Sequence, residues 1–202
     1  QLILIGTLNQ IAAGDLSAEI ESQGSRDEIT PALKQTLENI RQLITEANRL
    51  SAAAVAGRLD TRGNADDFQG GYREIVQGVN NTLDAVITPL HVAADYIQRI
   101  GNGEIPPRIT DSYQGDFNAI KNNINACIDG LGALEEGKQI LAQISINDFS
   151  QSIVGSYCGI FAEISDSINK VNNKLVHIMD IINNIANGDM QDLENLSTTG
   201  KR

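Results

Sequence analysis

Residues able to do chemistry are few in this 202-residue chain, and their spacing does not assemble a reacting set. The two histidines, His91 and His177, have no second His or Cys at metal-ligand spacing, so both are expected to be solvated or interfacial. No kinase-type motif accompanies His177 as a phosphate acceptor. Cys127 and Cys158 do not make a disulfide framework and suggest a reducing compartment. Cys127 lies on a heptad seam and reads as a small core residue, while Cys158 sits in a turn where it could be exposed. The pair Glu135-Glu136 reads as a helix surface. The glycines of Gly14-Asp15 and Gly103-Glu104 are followed by acid where a phosphate would sit, so they are not phosphate loops. With a formal charge of −11 the chain has no electrostatic case for nucleic acid or an anionic membrane face, and the aromatics have little chance of stacking bases. The expectation is a protein that is not an enzyme, with no cofactor, no metal and no small-molecule ligand.

What positions these residues is a repeat. Phe68-Gln69-Gly70-Gly71-Tyr72, Tyr113-Gln114-Gly115-Asp116-Phe117 and Tyr157-Cys158-Gly159-Ile160-Phe161 share the form aromatic-x-Gly-x-aromatic at offsets of 45 and 44. Just downstream Ile75, Val79 and Asn80 correspond to Ile120, Ile124 and Asn125, then to Ile164, Ile168 and Asn169. A second signature precedes each turn. Gly14 and Leu16 are matched by Gly57 and Leu59, Gly103 and Ile105, Asn147 and Phe149, and Gly188 and Met190. Gly is the residue expected where a helix ends in the left-handed conformation, and Asn is next best. Four residues after the apolar member comes a second one at Ile20, Ile109 and Ile153. The second repeat has Gly63 there and the fifth Glu194, so those two connectors are expected to be held less tightly. Periods of this size indicate stacked supersecondary units sharing a core.

Between the signatures the apolar positions alternate in steps of three and four. Phe161, Ile164, Ile168, Val171, Leu175, Ile178, Ile182 and Ile185 form one such seam; Phe117 to Leu134 and Tyr72 to Leu90 form two more. These are heptad seams, and they cross from one repeat into the next, so neighbours are joined by continuous helix. Pro89 is compatible if it falls in the first turn of an entering helix. The fold class is therefore all-α: helix, a connector of about a dozen residues, helix. A connector that long runs back along a helix, with Leu16 and Ile20 or Ile105 and Ile109 pinning it, and makes the helices parallel. Two parallel helices leave an apolar seam that a second copy would cover, giving a homodimeric parallel four-helix bundle. The expected repeats are 1–41, 42–87, 88–131, 132–173 and an incomplete 174–202.

Leu8-Asn9-Gln10-Ile11-Ala12-Ala13-Gly14-Asp15-Leu16, followed by Arg26-Asp27-Glu28-Ile29, resembles the HAMP domain of bacterial sensory receptors. Gly57 to Leu131 resembles the tandem HAMP arrays of methyl-accepting chemotaxis proteins. The resemblance implies a dimeric relay on the cytoplasmic side of an inner-membrane receptor. It would join an upstream transmembrane or sensor segment to a downstream signalling domain. It also implies that Glu28 helps hold the connector at the head of the second helix, where a carboxylate gains about 0.3–1 kcal/mol. A histidine-kinase relay and a passive dimeric spacer are the other readings. The chain starts at Gln1 without Met and reads as a fragment; Leu2-Ile3-Leu4-Ile5 is either the tail of a membrane helix or the first turn of a buried one. Lys138 stands between Leu134 and Leu141 where the seam should be apolar, and a buried polar residue there would set register at a cost. With Gly137 and Asn147 it makes the fourth repeat atypical, and atypical repeats are expected to alternate in packing with regular ones.

Overall fold

The computed structural model describes residues 2–20 and 29–189. Among them are five helices, α1 (Leu2–Ala12), α2 (Ile29–Val55), α3 (Gly70–Gly101), α4 (Gly115–Ser145) and α5 (Ile160–Ala186), and no strand. The chain divides into two compact units, Gln1–His91 and Val92–Arg202. Helices α2 to α5 are 27 to 32 residues long, about 40–48 Å at 1.5 Å per residue. Each runs without a break through the junction at which one sequence repeat hands over to the next.

Pro89 stands in the interior of α3, not in a first turn as its position in the repeat suggested. Its ring removes one N–H from the ladder. The helix continues because the seam residues on either side, Val76 and Ile87 before it and Ala93 after it, are buried.

Every first helix closes in the same way. In α3, Gly103 N donates to Ile100 O at 2.9 Å and Glu104 N to Arg99 O at 3.0 Å. That pair of bonds is the Schellman arrangement, in which a left-handed residue folds the chain back over its last turn. The same two bonds follow α1, α2, α4 and α5. In four of the five the turning residue is a glycine; after α4 it is Asn147, at φ 63°, the side chain that tolerates this region best.

The two units hold their cores differently. In Val92–Arg202, Ala93 from α3, Ile109 from the connector and Ile124 and Ile128 from α4 form a buried cluster, with Val92, Tyr96, Ile100 and Tyr113 packed around it. Further along, α4 and α5 approach closely because α4 presents glycine. A β-carbon on Gly130 would stand 2.6 Å from the Phe161 ring, and one on Gly137 would stand 2.7 Å from Ile168 Cδ1. Seven residues separate the two contacts on each helix, so α4 and α5 run parallel. In Gln1–His91 the α2 and α3 faces are lined by Leu43, Ala47, Leu50 and Ala54 on one side and Val76, Val79 and Leu83 on the other.

The glycine contacts set two effects against each other. Alanine at Gly130 would favour the helix by about 1 kcal/mol, whereas overpacking costs about 1–3 kcal/mol. The aromatic ring cannot fold away like a flexible chain end, so overpacking wins. Gly130→Ala is expected to lower the melting temperature, and Phe161→Leu in the same chain to recover part of the loss. A melt showing Gly130→Ala more stable than the parent would refute the close approach.

Candidate functional site: the connectors and their clamps

A connector that runs back along a helix pair exposes its own backbone, and those N–H and C=O groups must be satisfied once it docks. The anchor residue of each connector is buried: Ile20, Ile109 and Ile153 are each 6% exposed. The apolar residue four places earlier is not covered to the same degree. Leu16 and Phe149 are half-buried, and Leu59 and Ile105 are exposed. Of the expected pair, the second residue therefore does the pinning. The first follows the turning residue by only two positions, where the preceding helix has no further turn to cover it.

The anchor's backbone is gripped by an asparagine of the second helix. Asn125 Oδ1 accepts from Ile109 N at 2.8 Å, and Asn125 Nδ2 donates to Ile109 O at 3.0 Å. Asn169 repeats this on Ile153 at 2.8 and 3.0 Å, and Asn80 on Gly63 at 2.7 and 2.8 Å. One carboxamide has the donor and acceptor needed to pair both groups of one residue, as another strand would. The equivalence of Asn80, Asn125 and Asn169 was visible in the repeat, but not their role. Sequence spacing alone does not bring residues 16 or 17 apart face to face. The first repeat has no such asparagine. Buried Leu37 stands at the equivalent place, and Arg41 holds the connector through Leu16 O at 2.8 Å and Ala18 O at 3.2 Å.

Further ties fall about one helical turn beyond the clamp. In the fourth repeat Asn172 Nδ2 donates to Phe149 O and Gln151 O at 3.1 and 2.7 Å. In the second and third, an arginine just before the anchor pairs with a carboxylate on the second helix, Arg62 with Asp84 at 2.7 Å and Arg108 with Asp129. Both carboxylates are largely solvated, so these pairs orient the connector more than they stabilise it.

The second connector is not looser than the others. Gly63 is buried, and a β-carbon there would meet Val76 Cγ1 at 2.7 Å. Val76 is 4% exposed. At the equivalent positions the third and fourth repeats, whose anchors are Ile109 and Ile153, carry Lys121 and Ser165. Bulk has moved from connector to helix, and the contact is filled either way. The other connector expected to be loose, at Leu193 and Glu194, lies outside the described residues, as do Glu28 and Met190.

The aromatic turns open the second helices. Gly70, Gly115 and Gly159 have φ of 53°, 52° and 58°, a region that side chains other than glycine seldom adopt. Phe68 is buried, and Tyr72, Tyr113, Phe117, Tyr157 and Phe161 are half-buried. Tyr157 lies over Gly132 and Gly155, and its hydroxyl donates to Glu136 Oε1 at 2.8 Å. Burial, and then the adjacent carboxylate, raise the Tyr157 pKa.

Several sequence readings change. Glu136 is no surface carboxylate, since it also accepts from Gly155 N at 3.3 Å. Cys127 is exposed in the single chain: its own chain buries Ile124 and Ile128 of α4, and Cys127 shares the neighbouring stripe with Ile120 and Leu134. Lys138, expected to be buried, is solvated in the single chain and paired with Glu135 at 2.7 Å. Cys158, His91 and His177 are exposed. Among the described residues no group of three or more His, Cys, Asp or Glu could hold a metal ion.

Acidic groups at two connectors share one device. Asp15 Oδ1 accepts from Ser17 Oγ and N at 2.6 and 3.0 Å, and Asp148 Oδ1 from Ser150 Oγ and N at 2.7 and 3.0 Å. The serine side chain, then its amide, lower both carboxyl pKa values. On α2, Glu46 is lowered first by Arg49, whose guanidinium it meets at 2.7 Å, and it also accepts from Asn64 N at 2.9 Å.

An all-helical chain with parallel helices and docked connectors is the setting in which the comparison with known families falls. The family model of the HAMP domain matches residues 67–133, spanning α3, the connector after it and the first part of α4. HAMP domains are non-catalytic signalling linkers that typically dimerise and join upstream to downstream domains. No solved structure matches the chain. No described helix is long and apolar enough to cross a membrane.

Two measurements follow. Asn125→Ala leaves a buried N–H and a buried C=O without partners, at about 1–3 kcal/mol for each such group. It should shift the urea midpoint accordingly and speed exchange of the Ile109 amide; unchanged exchange there would remove the clamp from the argument. The second concerns pH. Because the Glu46 pKa is depressed, its contribution is present above the ordinary value of 4.5 and is lost as pH falls through the folded-state value. Between pH 3 and 7 the Glu46→Gln chain should show a flatter stability profile than the parent, and parallel profiles would count against the carboxylate grip.

Proposed function

We propose that the chain is a signal-relay segment of a transmembrane chemoreceptor, built as a tandem array of HAMP units over residues 1–41, 42–87, 88–131, 132–173 and 174–202. In this reading it works on the cytoplasmic side of the membrane as a parallel homodimer, between an upstream transmembrane or sensor segment and a downstream signalling domain. The observation that carries the proposal is the recurrence of one docked connector. A Schellman end, a buried anchor and a polar clamp from the following helix recur in the second, third and fourth repeats, outside as well as inside residues 67–133.

An exposed apolar stripe supports the dimer. Along α3, Ile75, Val79, Val86, Leu90 and Ile97 are 39–63% exposed, on a face other than the one that buries Val76, Asn80 and Ile87. Along α4, Ile120, Cys127, Leu134 and Leu141 recur every seven residues and are exposed as well. Apolar surface at this spacing is what a coiled-coil partner covers. On a dimer, Lys138 would sit within that seam.

The molar mass in solution should be about twice the 21.8 kDa of the chain. Cysteines placed singly at Val79, Val86 and Leu90 should crosslink between copies in the full receptor, with yields that change on stimulation. A monomer at micromolar concentration would sink the dimer. Yields indifferent to stimulus would leave a passive spacer.

A further inference from the structure

Two carboxylates at equivalent places tie a connector to the helix before it. Glu46 stands 17 residues ahead of the anchor Gly63, and Glu136 stands 17 ahead of the anchor Ile153. Glu46 accepts from Asn64 N at 2.9 Å, one residue past its anchor. Glu136 accepts from the Tyr157 hydroxyl at 2.8 Å and from Gly155 N at 3.3 Å, just past its own. In the second repeat Arg49 adds a bond to Arg62 O at 2.6 Å. Each of these connectors is therefore fastened on both sides, to the first helix by the carboxylate and to the second by Asn80 or Asn169.

The third repeat has Val92 at that place. Val92 packs against the cluster of Ala93, Ile109, Ile124 and Ile128. Arg99 of α3 does bond Glu104, but that pair spans the helix end and stays five residues short of the anchor. This connector is hydrogen-bonded to α4 instead, at its anchor through Asn125 and past it through Lys121 Nζ to Asp111 O at 3.4 Å. The difference is physical. A hydrogen bond to a named backbone atom fixes the offset of two elements, because its energy falls steeply with angle and distance. Apolar contact is non-directional and tolerates a small slide.

We propose that Glu46 and Glu136 are positioning residues that latch the first helix of their repeat to its connector, and that, of the second, third and fourth repeats, the third, which has no latch, is the joint at which first and second helix shift past one another. The latch rests on the geometry above; its use in signalling rests on the relay reading. In a relay, latched repeats carry a displacement as rigid pieces and the joint converts it.

Intrachain distance distributions test this directly. Spin labels go on outward positions of first and second helix in each repeat: Ala52 with Gln77, Gln98 with Asn122, and Ala142 with Asp166. Both native cysteines are replaced by serine, and labelled chain is diluted into unlabelled chain so that only distances within one copy are read. The 98–122 distribution should be the broadest of the three. Glu46→Ala and Glu136→Ala should broaden the pair of their own repeat alone, and Glu→Gln, which keeps an acceptor oxygen, should restore much of the narrow distribution. Three equal widths in the parent chain would overturn the proposal, and so would alanine variants that leave the widths unchanged. If an alanine variant loses helicity, the parent comparison and the glutamine variants still decide. A chain found to be monomeric would defeat the dimeric relay without touching these widths, so the two failures are distinguishable.

Discussion

Joining two parallel helices requires the chain to travel back the full length of the first before the second begins. The return segment is neither helix nor strand, so nothing in its own local structure pairs its backbone. Docking it to bury an apolar anchor also removes water from that anchor's N–H and C=O. In the second, third and fourth repeats the molecule resolves this with a single carboxamide per connector, which supplies a donor and an acceptor from a fixed place on the following helix. The remaining contacts presuppose that grip: with the anchor held, the aromatic turn opens the second helix at a set height and the helix pair is in register.

Between the second repeat and the two that follow it, the apolar bulk of the contact shifts from helix to connector. In the third and fourth repeats the connector supplies isoleucine and the helix Lys121 or Ser165; in the second the connector supplies only Gly63 and the helix supplies Val76. Close packing leaves little choice, because either a void or an overlap of one methyl group is felt. The same rule acts between α4 and α5, where Gly130 and Gly137 admit Phe161 and Ile168. Three glycines within eight residues, 130, 132 and 137, weaken α4 as an isolated helix. Their contacts with α5 and with Tyr157 offset that weakness in the folded chain.

The repeat, the helices and the turning residues were legible because each has a one-dimensional signature. Heptad steps, Gly-x-apolar and aromatic-x-Gly-x-aromatic all read directly along the chain. The clamps were not, because they depend on which residues a returning connector meets. Asn80, Asn125 and Asn169 were aligned correctly yet looked like ordinary polar positions on a helix. Reading Gly63 as a loose connector was wrong for a related reason: a missing side chain was scored without its partner, and Val76 cannot be paired with it until the fold is known. Cys127 and Lys138 lie on a stripe that their own chain leaves open, because the heptad pattern marks every apolar stripe without saying which one that chain itself covers.

A chain of continuous helices raises the question of what could move. Rotation or translation entering α3 must leave through the same backbone, since the helix has no interruption other than the N–H that Pro89 lacks. Change must therefore occur between helices, and there the connectors decide which changes are cheap. Losing a clamp leaves buried backbone groups unpaired, at about 1–3 kcal/mol each, while a slide of apolar seams keeps most of the burial. A relay with two packings within a few kcal/mol of each other is more economically built from the second kind of change. That argues for clamps that stay closed in both states and for seams, in particular the exposed stripes of α3 and α4, that exchange their neighbours.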